Sequence, residues 1–137
     1  LVLGGGEQKR PNLHVEDMCR AYENIIQADP DKINNEVFNV SYENKKIIEL
    51  ADLVKKNVEK FYNTGDIEIE VNNETNDKRS YHVNSEKITR VLGFKPKFSI
   101  DDAVTSLCQA FKSKLLVNTM DSIEYSNVEI LKKNDII

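Results

Sequence analysis

The residues best suited to chemistry stand near the start of the chain, in Gln8-Lys9-Arg10-Pro11-Asn12-Leu13-His14-Val15-Glu16-Asp17. Cations gather before the proline. Carboxylates follow where a helix would begin, and there negative charge offsets the positive end of the helix dipole. Pro11 keeps its predecessor out of helical geometry, so Arg10 is expected in an extended segment. An extended arginine beside a pocket can fork two donors onto a phosphate or a carboxylate. The same residues also suit a plain solvated loop. A second arginine, Arg79, lies close to Asp77, and a surface ion pair of little energetic weight would account for it. His14 reads better as a histidine with a satisfied ring than as a general base. Cys19 and Cys108 fit neither a metal-binding spacing nor a disulfide framework. Gly4-Gly5-Gly6 lacks the spaced glycines of a dinucleotide fingerprint and reads as a turn.

The elements that must position these groups follow from periodicity. Val15, Met18, Cys19, Tyr22, Ile25 and Ile26 recur at three- and four-residue intervals, which predicts a helix over 15–28 with this stripe, Cys19 included, in the core. Asp29-Pro30-Asp31 ends it, and Glu36-Val37-Phe38-Asn39-Val40 reads as a short strand. Asn39 either touches a ligand or closes that strand. Residues 42–46 are expected to form a loop. A second helix runs over 47–62, with Ile47, Leu50, Ala51, Val54, Val58 and Phe61 inward. Ile67, Ile69 and Val71 alternate with Glu68 and Glu70, the pattern of a half-solvated strand. Residues 72–78 are loop-like. Ser85 is the expected cap of a third helix that packs Ile88, Val91 and Leu92 and ends at Gly93. Ser99 and Asp102 form a capping box for a fourth, whose packed face carries Ile100, Ala103, Val104, Leu107, Phe111 and Leu115. Past Leu116 the chain is polar, and little structure is expected there.

Composition narrows the class. The chain has 137 residues, 39% of them hydrophobic and 31% charged. That length allows one compact domain or the larger part of one. A net charge of −4 argues against a nucleic-acid partner. No apolar run approaches the roughly 20 residues that span a bilayer. The opening residues do not resemble a signal peptide, and a reducing cytoplasm is the simple expectation. No methionine opens the chain, which suggests a piece of something longer.

Three blocks, in order, resemble one family. Gly6-Glu7-Gln8-Lys9-Arg10 with His14-Val15-Glu16-Asp17 looks like the "G-x-Q-x-R … H-V-x-D" segment of the NAD-dependent sugar-nucleotide epimerases and dehydratases, the extended short-chain dehydrogenases/reductases. Glu36–Val40 resembles that family's "x-V-F/Y-N-V/I" strand. Asp77-Lys78-Arg79-Ser80-Tyr81-His82-Val83-Asn84-Ser85-Glu86-Lys87-Ile88, followed by Leu92-Gly93-Phe94-Lys95-Pro96, is similar to its "D-x-R-x-Y-x-x-D/S-x-x-K-I-x-x-x-L-G-W/F-x-P". In the family these blocks belong to the substrate-side, C-terminal portion.

The resemblance implies an α/β fold: the C-terminal part of an extended short-chain dehydrogenase/reductase, with four main helices and a few short strands, lacking the N-terminal Rossmann half. Residues 1–116 would be the substrate-binding portion and 117–137 a polar tail. It implies that Arg10 and Arg79 bind the diphosphate of a nucleoside-diphosphate sugar, with Gln8, Asn39 and Asp77 as further pocket residues and no metal. It implies NAD(P) in the full-length parent, where a sugar hydroxyl is oxidised by hydride transfer and the sugar then rearranged. No dinucleotide and no turnover are expected of this chain alone. The family's catalytic Tyr-x-x-x-Lys belongs to the other half. Tyr42 and Lys46 match its letters, but the chemistry needs both on one helix face beside a nicotinamide ribose, so the match is read as coincidence. Apolar surface that the Rossmann half would cover should stand open, and the chain is expected to self-associate as a homo-oligomer. A non-catalytic nucleotide-sugar-binding module is the alternative, and a purely structural domain a further one.

Overall fold

The computed structural model describes residues 1–65, 67–74 and 79–134. In chain order it comprises β1 (Val2–Leu3), a 3-10 turn at Gly4–Gly6, β2 (Lys9–Asn12), α1 (Val15–Ile26), α2 (Pro30–Ile33), β3 (Glu43–Lys46), α3 (Ile47–Tyr62), β4 (Val71–Asn72), α4 (Glu86–Leu92), α5 (Ile100–Lys112), a second 3-10 turn at Ile123–Tyr125, and α6 (Asn127–Lys133). The α/β class and the four main helices are as expected, with α2 and α6 as short additions. The chain forms two compact units, Leu1–Thr105 and Ser106–Ile137, so the division falls inside α5.

In the first unit β1 and β4 pair in parallel, Val2 opposite Val71 and Leu3 opposite Asn72. Parallel strands need a long crossover, here supplied by everything from β2 to α3. β2 and β3 pair antiparallel, with Lys9 opposite Lys46, Arg10 opposite Lys45, Pro11 opposite Asn44 and Asn12 opposite Glu43. Residues 43–46 are therefore a strand and not the expected loop. Their polar side chains carry no strand signal, and pairing with β2 decides their conformation. Conversely, residues 36–40 are extended, with Phe38 and Val40 packed on the core and Val37 77% exposed, yet no described segment pairs with them. The alternation is present, but a strand also needs a neighbour for its hydrogen bonds. Over 67–70 the burial alternates as expected, but Val71 is exposed rather than on the covered face, and ladder pairing is confined to β4.

The core of this unit is Ala21, Ile88 and Phe94, with Ile25, Phe38, Val40 and Leu92 packed against it. Helix α1 starts at His14, whose Nδ1 accepts from the Glu16 N–H at 3.1 Å. Its inward face is not the one periodicity suggests. Asp17 and Ala21 are buried, whereas Val15 is 70% exposed, Tyr22 61% and Ile26 79%, and Met18 and Cys19 are exposed too. The apolar stripe exists on the helix, but no described residue of this unit covers most of it. Cys19 is accordingly a surface residue.

Local end signals fared better. Gly93 adopts the left-handed conformation (φ +68°) and closes α4 with an N–H bond to Thr89. The Ser99–Asp102 box forms in both directions, Ser99 N–H to Asp102 Oδ2 at 2.7 Å and Asp102 N–H to Ser99 Oγ at 3.2 Å. Those bonds from Ser99 hold the Asp102 carboxyl below its ordinary pKa. Ser85 does not cap α4; the Asn84 side chain does, accepting from the Glu86 N–H at 2.7 Å.

In the second unit Cys108 is buried, while Leu107, Phe111 and Leu115 of the expected packed face are exposed. The polar tail carries more structure than its composition suggests. Ser126 caps α6 by accepting from the Glu129 N–H.

Candidate functional site

Strand β2 carries Arg10, and the segment 79–83 lies along its edge. The Lys9 N–H donates to Ser80 Oγ at 2.9 Å, and the Lys9 carbonyl accepts from the Tyr81 N–H at 3.1 Å. Arg10 Nη1 donates to the Arg79 carbonyl at 2.6 Å and to the Lys9 carbonyl at 2.9 Å. Its guanidinium also stacks 5.1 Å from the centre of the Tyr81 ring. The Arg10 side chain thus meets the backbone of Arg79, 69 positions away, at one edge of one strand pair. Arg79 itself is exposed, while Asp77 lies outside the described residues.

Gln8 precedes β2. Its Nε2 donates to the Leu3 carbonyl at 2.8 Å, which closes the glycine turn, and its buried Oε1 meets no donor among the described residues. Asn39 stands apart from the arginine pair. It lines an open cleft of about 530 Å³ together with Pro11, Asn12, Tyr22, Phe38 and Val83. That cleft adjoins β2 through Pro11 and Asn12, the two residues after Arg10.

Three glycines with positive φ, +68°, +74° and +77°, make the turn between β1 and β2. Gly6 has no room for more: a Cβ there would sit 2.9 Å from Ile48 Cβ and from Val2 Cγ1. The turn leads into a strand, so it offers a dinucleotide pyrophosphate no helix N-terminus. These residues do not fit a cofactor cradle, and no redox step is assigned to them. Lys46 and Tyr42 lie in and just before β3, where four residues of strand span about 13 Å, and cannot act from one helix face. Lys46 is instead paired with Glu7 at 2.7 Å, which raises its pKa above the ordinary value.

Sequence reasoning missed two groups. Asp17 reads as a dipole-compensating carboxylate, but it is wholly buried. Its oxygens accept from the Lys97 N–H at 2.9 and 3.0 Å, from the Phe98 N–H at 2.9 Å and from Arg20. It therefore fastens α1 to the link before α5. Asn44 is the second: its Nδ2 donates to the Val83 carbonyl and its Oδ1 accepts from the Val83 N–H, each at 2.9 Å. Nothing in the sequence around Asn44 signals this.

Comparisons with known proteins bear on the family and the fold. The profile of the family described as GDP-mannose 4,6 dehydratase matches residues 1–107. Among solved structures, UDP-glucose 4-epimerase from Thermotoga maritima, determined with UDP-glucose, is 24% identical with a TM-score of 0.65 over 84% of this chain and 36% of its own. dTDP-glucose 4,6-dehydratase from Bacillus anthracis, in complex with NAD, is 20% identical with a TM-score of 0.61 over 87% and 35%. L-threonine dehydrogenase from Clostridium difficile is 19% identical with a TM-score of 0.62 over 83% and 35%. No curated protein matches the sequence significantly. The chain belongs to the GDP-mannose 4,6 dehydratase family, among the NAD-dependent epimerases and dehydratases of the extended short-chain dehydrogenase/reductase type. It spans a little over a third of the length of these solved structures, 35–36%. No helix among the described residues is long and apolar enough to cross a membrane.

Proposed function

We propose that this chain is the diphosphate-binding part of an NAD(P)-dependent sugar-nucleotide epimerase or dehydratase, with Arg10 and Arg79 as the phosphate ligands. The observation that carries the reading is the 2.6 Å bond from Arg10 to the Arg79 carbonyl, which brings the two arginine-bearing segments together. A diphosphate presents roughly two negative charges, and guanidinium forks meet such oxygens with bidentate, charge-assisted bonds. The fold alone does not name the substrate, since it is shared with a threonine dehydrogenase. Within this reading Gln8 borders the site at the glycine turn, Asn39 reaches the sugar side through the neighbouring cleft, and Asp77, two positions before Arg79 in the sequence, is a further ligand-binding residue. Residues 1–116 form the binding portion. Hydride transfer, which the cofactor supports when bound, belongs to the remainder of the parent enzyme, and this chain alone binds ligand without turnover.

Titration with GDP, GMP and guanosine tests the reading. GDP should bind, GMP more weakly and guanosine hardly at all, and GDP affinity should fall as salt rises because the contact is ionic. Equal binding of all three would show that the arginines do not read phosphate.

A further inference from the structure

Segment 79–83 lies beside β2 like a third strand, but its backbone pairing stops after one residue. Lys9 turns both backbone groups outward, its N–H to Ser80 Oγ and its carbonyl to the Tyr81 N–H. Strand geometry brings the same edge round two residues later, at Pro11. Proline has no N–H, so β2 cannot continue the ladder there. Asn44 sits opposite Pro11 in the β2–β3 register. Its carboxamide meets both backbone groups of Val83, as a peptide group of a neighbouring strand would. The strap is thereby held at both ends: Arg10 grips the carbonyl of Arg79, and Asn44 grips Val83.

We propose, on the strength of the diphosphate reading above, that Asn44 is a positioning residue for Arg79. It touches no ligand itself. By replacing the ladder that Pro11 interrupts, it fixes the path of 79–83 and so the point from which Arg79 approaches the diphosphate. A segment tied down before ligand arrives loses less entropy on binding. Loss of Asn44 should therefore weaken binding without removing any phosphate contact. The side-chain chemistry is specific. Aspartate can accept the Val83 N–H but cannot donate to its carbonyl, whereas alanine can do neither.

The test combines amide hydrogen exchange with GDP titration on wild type, Asn44→Asp, Asn44→Ala, Arg79→Ala and the Asn44→Ala/Arg79→Ala double variant. Exchange at Val83 should accelerate roughly tenfold in Asn44→Ala and less in Asn44→Asp, as expected for hydrogen bonds of ordinary net worth. GDP affinity should fall roughly fivefold in Asn44→Ala, while the double variant should bind no worse than Arg79→Ala alone, since Asn44 acts only through that arginine. Faster exchange at Val83 with unchanged GDP affinity would overturn the positioning role and leave the diphosphate reading intact. Additive losses in the double variant would also overturn it, because a general weakening of the fold does not pass through Arg79. Failure of wild type to bind GDP would defeat the underlying reading and this inference together.

Discussion

Replacing Asp17 should sharply lower the folding stability of the first unit. The carboxylate is 0% exposed and accepts three backbone bonds, two from Lys97 and one from Phe98, besides its contact with Arg20. Asp17→Ala removes the acceptors of two amide groups and strands the Arg20 guanidinium. Breaking such a buried pair typically costs about 3–5 kcal/mol. Asp17→Asn keeps the shape and one acceptor but turns an amide N–H₂ toward donors, so a loss of about 2–3 kcal/mol is expected, the scale of hydrogen bonds to a charged group. Set against the roughly 5–15 kcal/mol of a whole domain, alanine here takes about a fifth of the stability or more. Urea denaturation followed by circular dichroism measures it. A midpoint shift equivalent to less than about 1 kcal/mol for Asp17→Ala would refute the argument, because it would mean that Lys97 and Phe98 find other acceptors at no cost.

Gly6→Ala should destabilise by about 1–3 kcal/mol, since it combines a left-handed backbone with a contact to Ile48 and Val2 that cannot relax; a neutral result in the same denaturation assay would contradict the geometry. The Asp102 carboxyl is held below its ordinary pKa by Ser99. Sign follows from that direction: the box's contribution is fully present above the unfolded-state pKa and lost as pH falls through the lower folded-state one. Asp102→Asn should therefore flatten the acid limb of the stability profile, and an unchanged limb would exclude the box as its source. In a full-length enzyme containing this segment, Tyr42→Ala and Lys46→Ala should each leave turnover within a few-fold of wild type; a loss of roughly a hundredfold would make them an acid–base pair after all.

What the sequence made legible was local. The Gly93 cap and the Ser99–Asp102 box depend on residues within a turn of each other, and both formed as read. Arg10 is extended because Pro11 follows it, again a neighbour effect. Pairing was hidden because it depends on partners far along the chain: β3 pairs with β2 despite its polar side chains, and residues 36–40 alternate without a partner among the described residues. Helix α1 teaches the sharpest lesson. Periodicity located an apolar stripe but could not say what covers it, and the buried face instead carries a carboxylate supplied with donors from residues 80 and 81 positions away. At the site, the expectation that Arg10 and Arg79 act together came from the family resemblance and from no local signal. The Asn44 tie to Val83 had no signal at all, because a carboxamide that mimics a strand is visible only once two strands and a strap are assembled.

The most direct test of the account is the dissociation constant for GDP, measured by calorimetry on wild type, Arg10→Ala, Arg79→Ala and, as a charge-matched control, Arg90→Ala on the exposed side of α4. Each of the first two substitutions should weaken binding by about 1.5–3 kcal/mol, roughly 10- to 150-fold, while the control should bind like wild type. Unchanged affinity in both Arg10→Ala and Arg79→Ala, or an equal loss in Arg90→Ala, would return the two arginines to the solvated surface.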